Sequence, residues 1–178
     1  MTTPARWLEA APLRSARLTL EPLRVEHASE AFEVLDDPRL HTYTGGEPAS
    51  RDELDARFAH QVVGCSRDGS QGWLNWMLRR QDTGRLVGTV QATLERGEPD
   101  ELHAELAWVV ATDEQGRGYA REAAVVVAGW LRERGVDGLL AHVHPDHEAS
   151  AGVARAVGLR ASSTVVDGEV RWAEGWVG

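Results

Sequence analysis

The chain contains no lysine, so all 19 of its basic residues are arginine. That absence removes the phosphate loops that end in Gly-Lys-Ser/Thr, whose lysine reaches the terminal phosphates of a nucleoside triphosphate. Cysteine is nearly missing as well. The single Cys65 excludes an internal disulfide and reads as a small buried apolar residue rather than a nucleophile. With a formal net charge of −9, the chain lacks the broad basic face that nucleic acid requires. It also lacks a continuous apolar run of membrane-spanning length, and Met1 to Ala11 have no apolar signal core. The expectation is therefore a cytoplasmic protein with no membrane partner. Repeats, low-complexity tracts and interdomain linkers are absent too.

What is there reads as one α/β domain, residues 15–178, behind an N-terminal extension, residues 1–14. A hydrophobic share of 42% and a charged share of 26% over 178 residues suit a globular chain with a full core. Arg17 to Leu23 alternates as a strand, and Glu26 to Leu35 puts Ala28, Ala31, Phe32 and Leu35 on one helical face. Leu40 to Pro48 is a loop. Ser50, with Glu53 three residues on, caps a second helix whose stripe is Leu54, Phe58 and Val62. A hairpin of Trp73–Arg80 and Arg85–Glu95 follows, then a strand from Leu102 to Val110. A helix, a strand, a helix closed by Gly158 and a hairpin turning at Asp167-Gly168 complete the order β-α-α-β-β-β-α-β-α-β-β.

The chemistry concentrates at Gln115, Gly116, Arg117, Gly118, Tyr119 and Ala120, between the strand ending at Val110 and the helical run from Arg121. A glycine turn opening a helix lets the backbone approach phosphate oxygens, points free N–H groups at them and adds the positive end of the helix dipole. Arg117 and Arg121 can add charge-assisted hydrogen bonds. The full dinucleotide fingerprint is absent, and no early βαβ unit surrounds the glycines.

The pattern Gln/Arg-x-x-Gly-x-Gly/Ala, filled by Gln115, Gly118 and Ala120, resembles the coenzyme A pyrophosphate loop of the GNAT N-acetyltransferase superfamily. Further on, His144-Pro145-Asp146-His147-Glu148-Ala149-Ser150, the helical run to Val157 and Gly158-Leu159 resemble that family's His-Pro-Asn/Asp-Asn-x-x-Ser/Ala segment. Ser15 to Leu23, Leu35 to Pro38, Trp73 to Leu78, Asp82 to Gly84 and Leu86 to Gly88 resemble the RimJ/RimL-like branch, so the likeness runs from about Ser15 to Trp172. It implies a strongly twisted mixed sheet of about seven strands with helices on both faces.

The resemblance also implies acetyl-CoA as cosubstrate, no metal, and direct attack by a primary amine in a ternary complex. In the family a backbone amide holds the thioester carbonyl where two strands splay, which falls on Trp108, Val109 and Val110 here. The tyrosine that many members use as thiolate donor falls on Ala154, so the usual donor is missing. Ser150 takes the serine position of the RimJ/RimL-like branch and is the candidate donor; its alternative is a helix cap. His147 stands where the family has an asparagine that approaches the cofactor, and it brings a titrating ring instead.

Glu105 is the candidate base, with Glu101 and His103 on the same strand parity. His142 and His144 alternate on a strand near His147, without a fourth residue to complete a zinc site. His41, Tyr43 and Thr44 lie on the loop that usually walls the acceptor side. The acceptor is expected to be a protein N-terminal α-amine or a small-molecule amine, to which the excess of carboxylates is suited. Association as a homodimer is open. The alternative reading is a non-catalytic CoA-binding sensor or interaction module.

Overall fold

Strict alternation of apolar residues builds the sheet. In Gln71–Arg80, Leu74, Trp76 and Leu78 are buried on one face while Met77 turns to the other, as a period of two requires. The computed structural model describes residues 6–174, and the outermost parts of the expected extension and domain, residues 1–5 and 175–178, lie outside the described residues.

The strands are β1 (Leu13–Arg14), β2 (Leu18–Pro22), β3 (Gln71–Arg80), β4 (Leu86–Arg96), β5 (Leu102–Val110), β6 (Gly138–Val143), β7 (Arg160–Val166) and β8 (Glu169–Ala173). They form one mixed eight-stranded sheet in the order β1-β2-β3-β4-β5-β6-β8-β7. Every neighbouring pair is antiparallel except β5 and β6. The strand in excess of the expected seven is β1, in which Leu13 pairs with Leu20 and Arg14 with Thr19. Two residues are too few to show a period in sequence.

The helices are α1 (Ala28–Leu35), α2 (Arg51–Gln61), α3 (Tyr119–Glu133) and α4 (Glu148–Val157). Helices α3 and α4 bury Ala123, Ala124, Val127, Leu131, Ala154 and Val157 against one face of the sheet. On the other, α1 and α2 bury Ala28, Ala31, Leu54 and Phe58 against Met77 and Leu86. Local signals set their ends. Ser50 Oγ accepts from Glu53 N at 3.2 Å while Glu53 Oε2 accepts from Ser50 N at 2.7 Å, the reciprocal box that starts α2. Val62 departs from the expected stripe: α2 stops at Gln61, and Val62 is its 42%-exposed C-cap. Gly158 ends α4 with φ +98°, and Asp167 and Gly168 turn the last hairpin with φ of 51° and 81°, the left-handed pair of a type I′ turn. Among the described residues, no helix is long and apolar enough to cross a membrane.

The feature that positions the site is where the sheet comes apart. Strand β4 pairs with β5 along its whole length, from Arg96↔Leu102 to Gly88↔Val110. Strand β6 pairs with β5 only at His103↔Gly138, Ala104↔Leu139 and Glu105↔Leu140, then continues with β8 from Leu140 to Val143. Past Glu105 a wedge opens, and one edge of residues 106–110 leaves the ladder.

Candidate active site

The glycine turn closes one end of the wedge. Gln115 Nε2 donates to Val110 O at 2.9 Å, tying the turn to the end of β5. Gly116 and Gly118 have φ of +78° and +82°, and Gly118 is the N-cap of α3. These angles suit glycine because a Cβ would strain the left-handed conformation. The first amide to bond back along α3 is Glu122 N, to Gly118 O at 3.0 Å. The amides of Tyr119, Ala120 and Arg121 precede it and have no intrahelical acceptor. Tyr119 itself is buried, Ala120 half-buried and Arg121 exposed.

Three residues that no local pattern indicates brace this turn. Arg17 Nη2 donates to Arg117 O at 2.8 Å, with its guanidinium 4.5 Å from the centre of the Tyr119 ring. Arg80 lies 5.6 Å from that ring and donates to the buried carboxylate of Glu114 at 3.1 Å. Arg117 Nη1 stands 3.6 Å from the same carboxylate. Arg17, just before β2, and Arg80, the last residue of β3, are remote in sequence, so only the fold reveals them.

Ser150, Trp108 and His147 meet across the wedge. Trp108 Nε1 donates to Ser150 Oγ at 3.2 Å, and His147 Nε2 lies 3.4 Å from that oxygen. Indole N–H is a donor only, so the serine hydrogen is left to be given elsewhere. Ser150 is thus engaged with side chains rather than acting as the cap of α4. His147 is the N-cap residue, without a side-chain cap bond. Burial, and secondarily the neighbouring His144, lower its pKa from the ordinary imidazole value. Tyr43 stacks on His147 with ring centres 4.2 Å apart and planes 9° apart, and tilts against His144 at 5.3 Å. This stack joins the loop after residue 40 to the start of α4.

Glu105 is not brought to Ser150. On β5 Ala104, Leu106 and Val110 are buried on the α3 face while Glu105, Ala107 and Val109 are exposed on the other, so alternation separates Glu105 from Trp108. Glu105 Oε1 lies 2.7 Å from His142 Nδ1, bridging β5 and β6 where they part. Glu101 and His103 sit at the far end of β5 and contact each other at 3.1 Å. Val109 also lines a cavity of about 220 Å³ with His41, Thr44, Asn75, Thr89 and Gln91. Leu23, Gln61 and Asn75 are shared with a second cavity of about 710 Å³ that reaches Trp7, Val63, Cys65 and Trp73. The two are neighbours across these shared residues.

The donor set fits a coenzyme A pyrophosphate: amides at a helix start, a glycine backbone with no Cβ, and Arg117 and Arg121 at its rim. The chain is similar to an acetyltransferase from Agrobacterium tumefaciens str. C58, with 26% identity, 98% of this chain and 100% of that chain covered, and a TM-score of 0.68. It is similar in fold to RimL, the ribosomal L7/L12 α-N-protein acetyltransferase solved with coenzyme A, at 13% identity, 92% and 97% coverage and a TM-score of 0.74. A ribosomal-protein-S5-alanine acetyltransferase from Vibrio fischeri gives 15%, 93% and 96%, and a TM-score of 0.72. A search among curated proteins by sequence gave no match. The acetyltransferase (GNAT) domain profile matches residues 17–160, and the chain belongs to the GNAT acetyltransferase family.

Proposed function

We propose that the chain transfers an acetyl group from acetyl-CoA to a primary amine by direct attack in a ternary complex. The observation that carries this is the wedge: β5 loses β6 after Glu105 and runs straight into a turn of open amides. In this reading the amides from Gly116 to Arg121, with Arg117 and Arg121, hold the pyrophosphate. The freed edge of residues 106–110 gives strand-like hydrogen bonds to the pantetheine arm, and an amide among Trp108, Val109 and Val110 polarises the thioester carbonyl. The bound cosubstrate supplies an activated acetyl group, and His147 lines its path. Ser150 is the proton donor for sulfur, and Glu105 serves proton removal from the amine.

The acceptor class we favour is the α-amine of a peptide. Beside the first cavity, next to Val109, lies the larger one, which shares Leu23 and Asn75 as lining; in this reading the two together take several residues of extended chain. RimL, of similar fold, is named for acting on a protein α-amine.

Calorimetry with CoA, together with CoA release assayed on N-terminal peptides and small amines, tests this. Gly118→Asp adds a Cβ at φ +82°, 3.4 Å from Arg17 Nη2, and a negative charge at the turn. It should weaken CoA binding at least about tenfold, or ~1.4 kcal/mol, in a folded protein. Unchanged affinity would remove the turn from the cofactor site.

A further inference from the structure

We propose that His142, held by Glu105, is the base that takes the proton from the acceptor amine, so that Glu105 acts through it as a positioning residue. This rests on the acyl-transfer reading above. Strands β5 and β6 part at Glu105↔Leu140, and His142 follows Leu140 on the same face of β6 by alternation. From there its Nδ1 reaches back 2.7 Å to Glu105 Oε1 across the mouth of the wedge. A carboxylate only accepts hydrogen bonds, so the neutral ring carries its hydrogen on Nδ1 and presents Nε2 as the basic nitrogen. A base oriented by a third group is the arrangement that proton transfer needs, and near neutral pH an imidazole is better matched to that task than a carboxylate.

The charged and titratable surroundings favour this. Glu105 faces His142 from β5 and holds its ring in place. Arg171 stands opposite it on β8, and His144 follows just past the end of β6, in contact with Tyr43. The His142 side chain keeps 20% of its surface exposed, so a proton it accepts can pass on to water.

The step balances. An ammonium acceptor gives one proton to His142 Nε2 and becomes the neutral amine. Its nitrogen forms the new bond to the acetyl carbon as the carbon–sulfur bond breaks. The second proton, released from that nitrogen, replaces the one Ser150 gives to sulfur, and His142 returns its own proton to solvent.

The test combines kinetics with the free protein. His142→Ala should lower kcat/KM by about 100-fold with the best amine, and added imidazole should restore at least about a tenth of the loss by acting as the missing general base. His142→Gln, which keeps the side chain's bulk, should show the same loss with unchanged CoA affinity. Nitrogen-15 NMR of the cosubstrate-free protein should report the Nδ1–H tautomer at His142, and Glu105→Ala should abolish that preference and lower turnover. An Nε2–H tautomer, no response to imidazole, or near-normal turnover of His142→Gln would each overturn the assignment while leaving acetyl transfer standing. A wild-type protein that binds CoA but acetylates no amine would overturn both.

Discussion

At the scale of single residues, Ser150 is the most informative position. Its alternatives in the sequence were a helix cap and a thiolate donor, and position along the chain could not separate them, because both uses begin near a helix start. In the fold the oxygen receives Trp108 Nε1 at 3.2 Å, which uses an acceptor site and leaves the hydrogen free. Among the described residues, its other side-chain partner is His147, at 3.4 Å. With its pKa lowered by burial, His147 is biased toward the neutral form, which leaves Ser150 as the proton donor to sulfur. Ser150→Ala should therefore reduce kcat about 100-fold with acetyl-CoA affinity nearly unchanged. Steady-state kinetics beside calorimetry checks this. Full turnover in the variant would assign Ser150 to packing with Trp108. The aromatic neighbour Tyr43 was legible only as a loop residue; its stack on His147 depends on two segments that meet in space.

At the scale of elements, Arg79 joins three of them. It extends from β3 to Glu21 on β2, with Nε 2.5 Å from Oε1, and to Glu30 on α1, with Nη1 2.9 Å from Oε2. Buried His27 adds Nε2 at 2.8 Å from Glu21, while its Nδ1 accepts from Arg24 N at 2.9 Å, which sets the ring hydrogen on Nε2. The Arg79 hydrogen bonds are the leading cause that lowers the pKa of both Glu21 and Glu30. Folded values below the unfolded ones mean stability that is present above the ordinary carboxylate range and lost as pH falls through the folded values. Arg79→Met should cost about 1–3 kcal/mol near neutral pH, and its melting temperature should fall less than that of the wild type between pH 5 and pH 3. A parallel loss in both proteins would mean that other carboxylates govern the acid limb. The helix ends themselves were readable, since Ser50, Glu53 and Gly158 act through bonds to residues three or four away. The end of α2 was not: Val62 fits the helical period, yet the chain leaves the helix one residue earlier.

At the scale of the whole molecule, the proposed acceptor region draws on α2, the turn after it and the N-terminal segment. Leu23, Gln61 and Asn75 line both cavities, and Val63, 67% exposed, stands on the wall of the larger one. Val63→Glu should raise KM for peptides of several residues by about tenfold (~1.4 kcal/mol) and change it less for a short amine, with kcat retained. Competition kinetics over peptide length provides the measurement, and a length-independent effect would confine the acceptor to the inner cavity. The sequence by itself determined the element order from β2 onward, the start of α2 at Ser50, the end of α4 at Gly158, the glycine turn before α3 and the family, because each is written in short-range spacing. Only the tertiary structure decided the rest. The wedge exists because β6 parts from β5 after Glu105↔Leu140 while it keeps β8 along its other edge, a choice of long-range pairing that no local pattern encodes. The same choice brings His142 to Glu105, Trp108 to Ser150, and Arg17 and Arg80 to Tyr119. Side-chain proximity of this kind follows from strand register, which the packing of two apolar faces selects for the sheet as a unit.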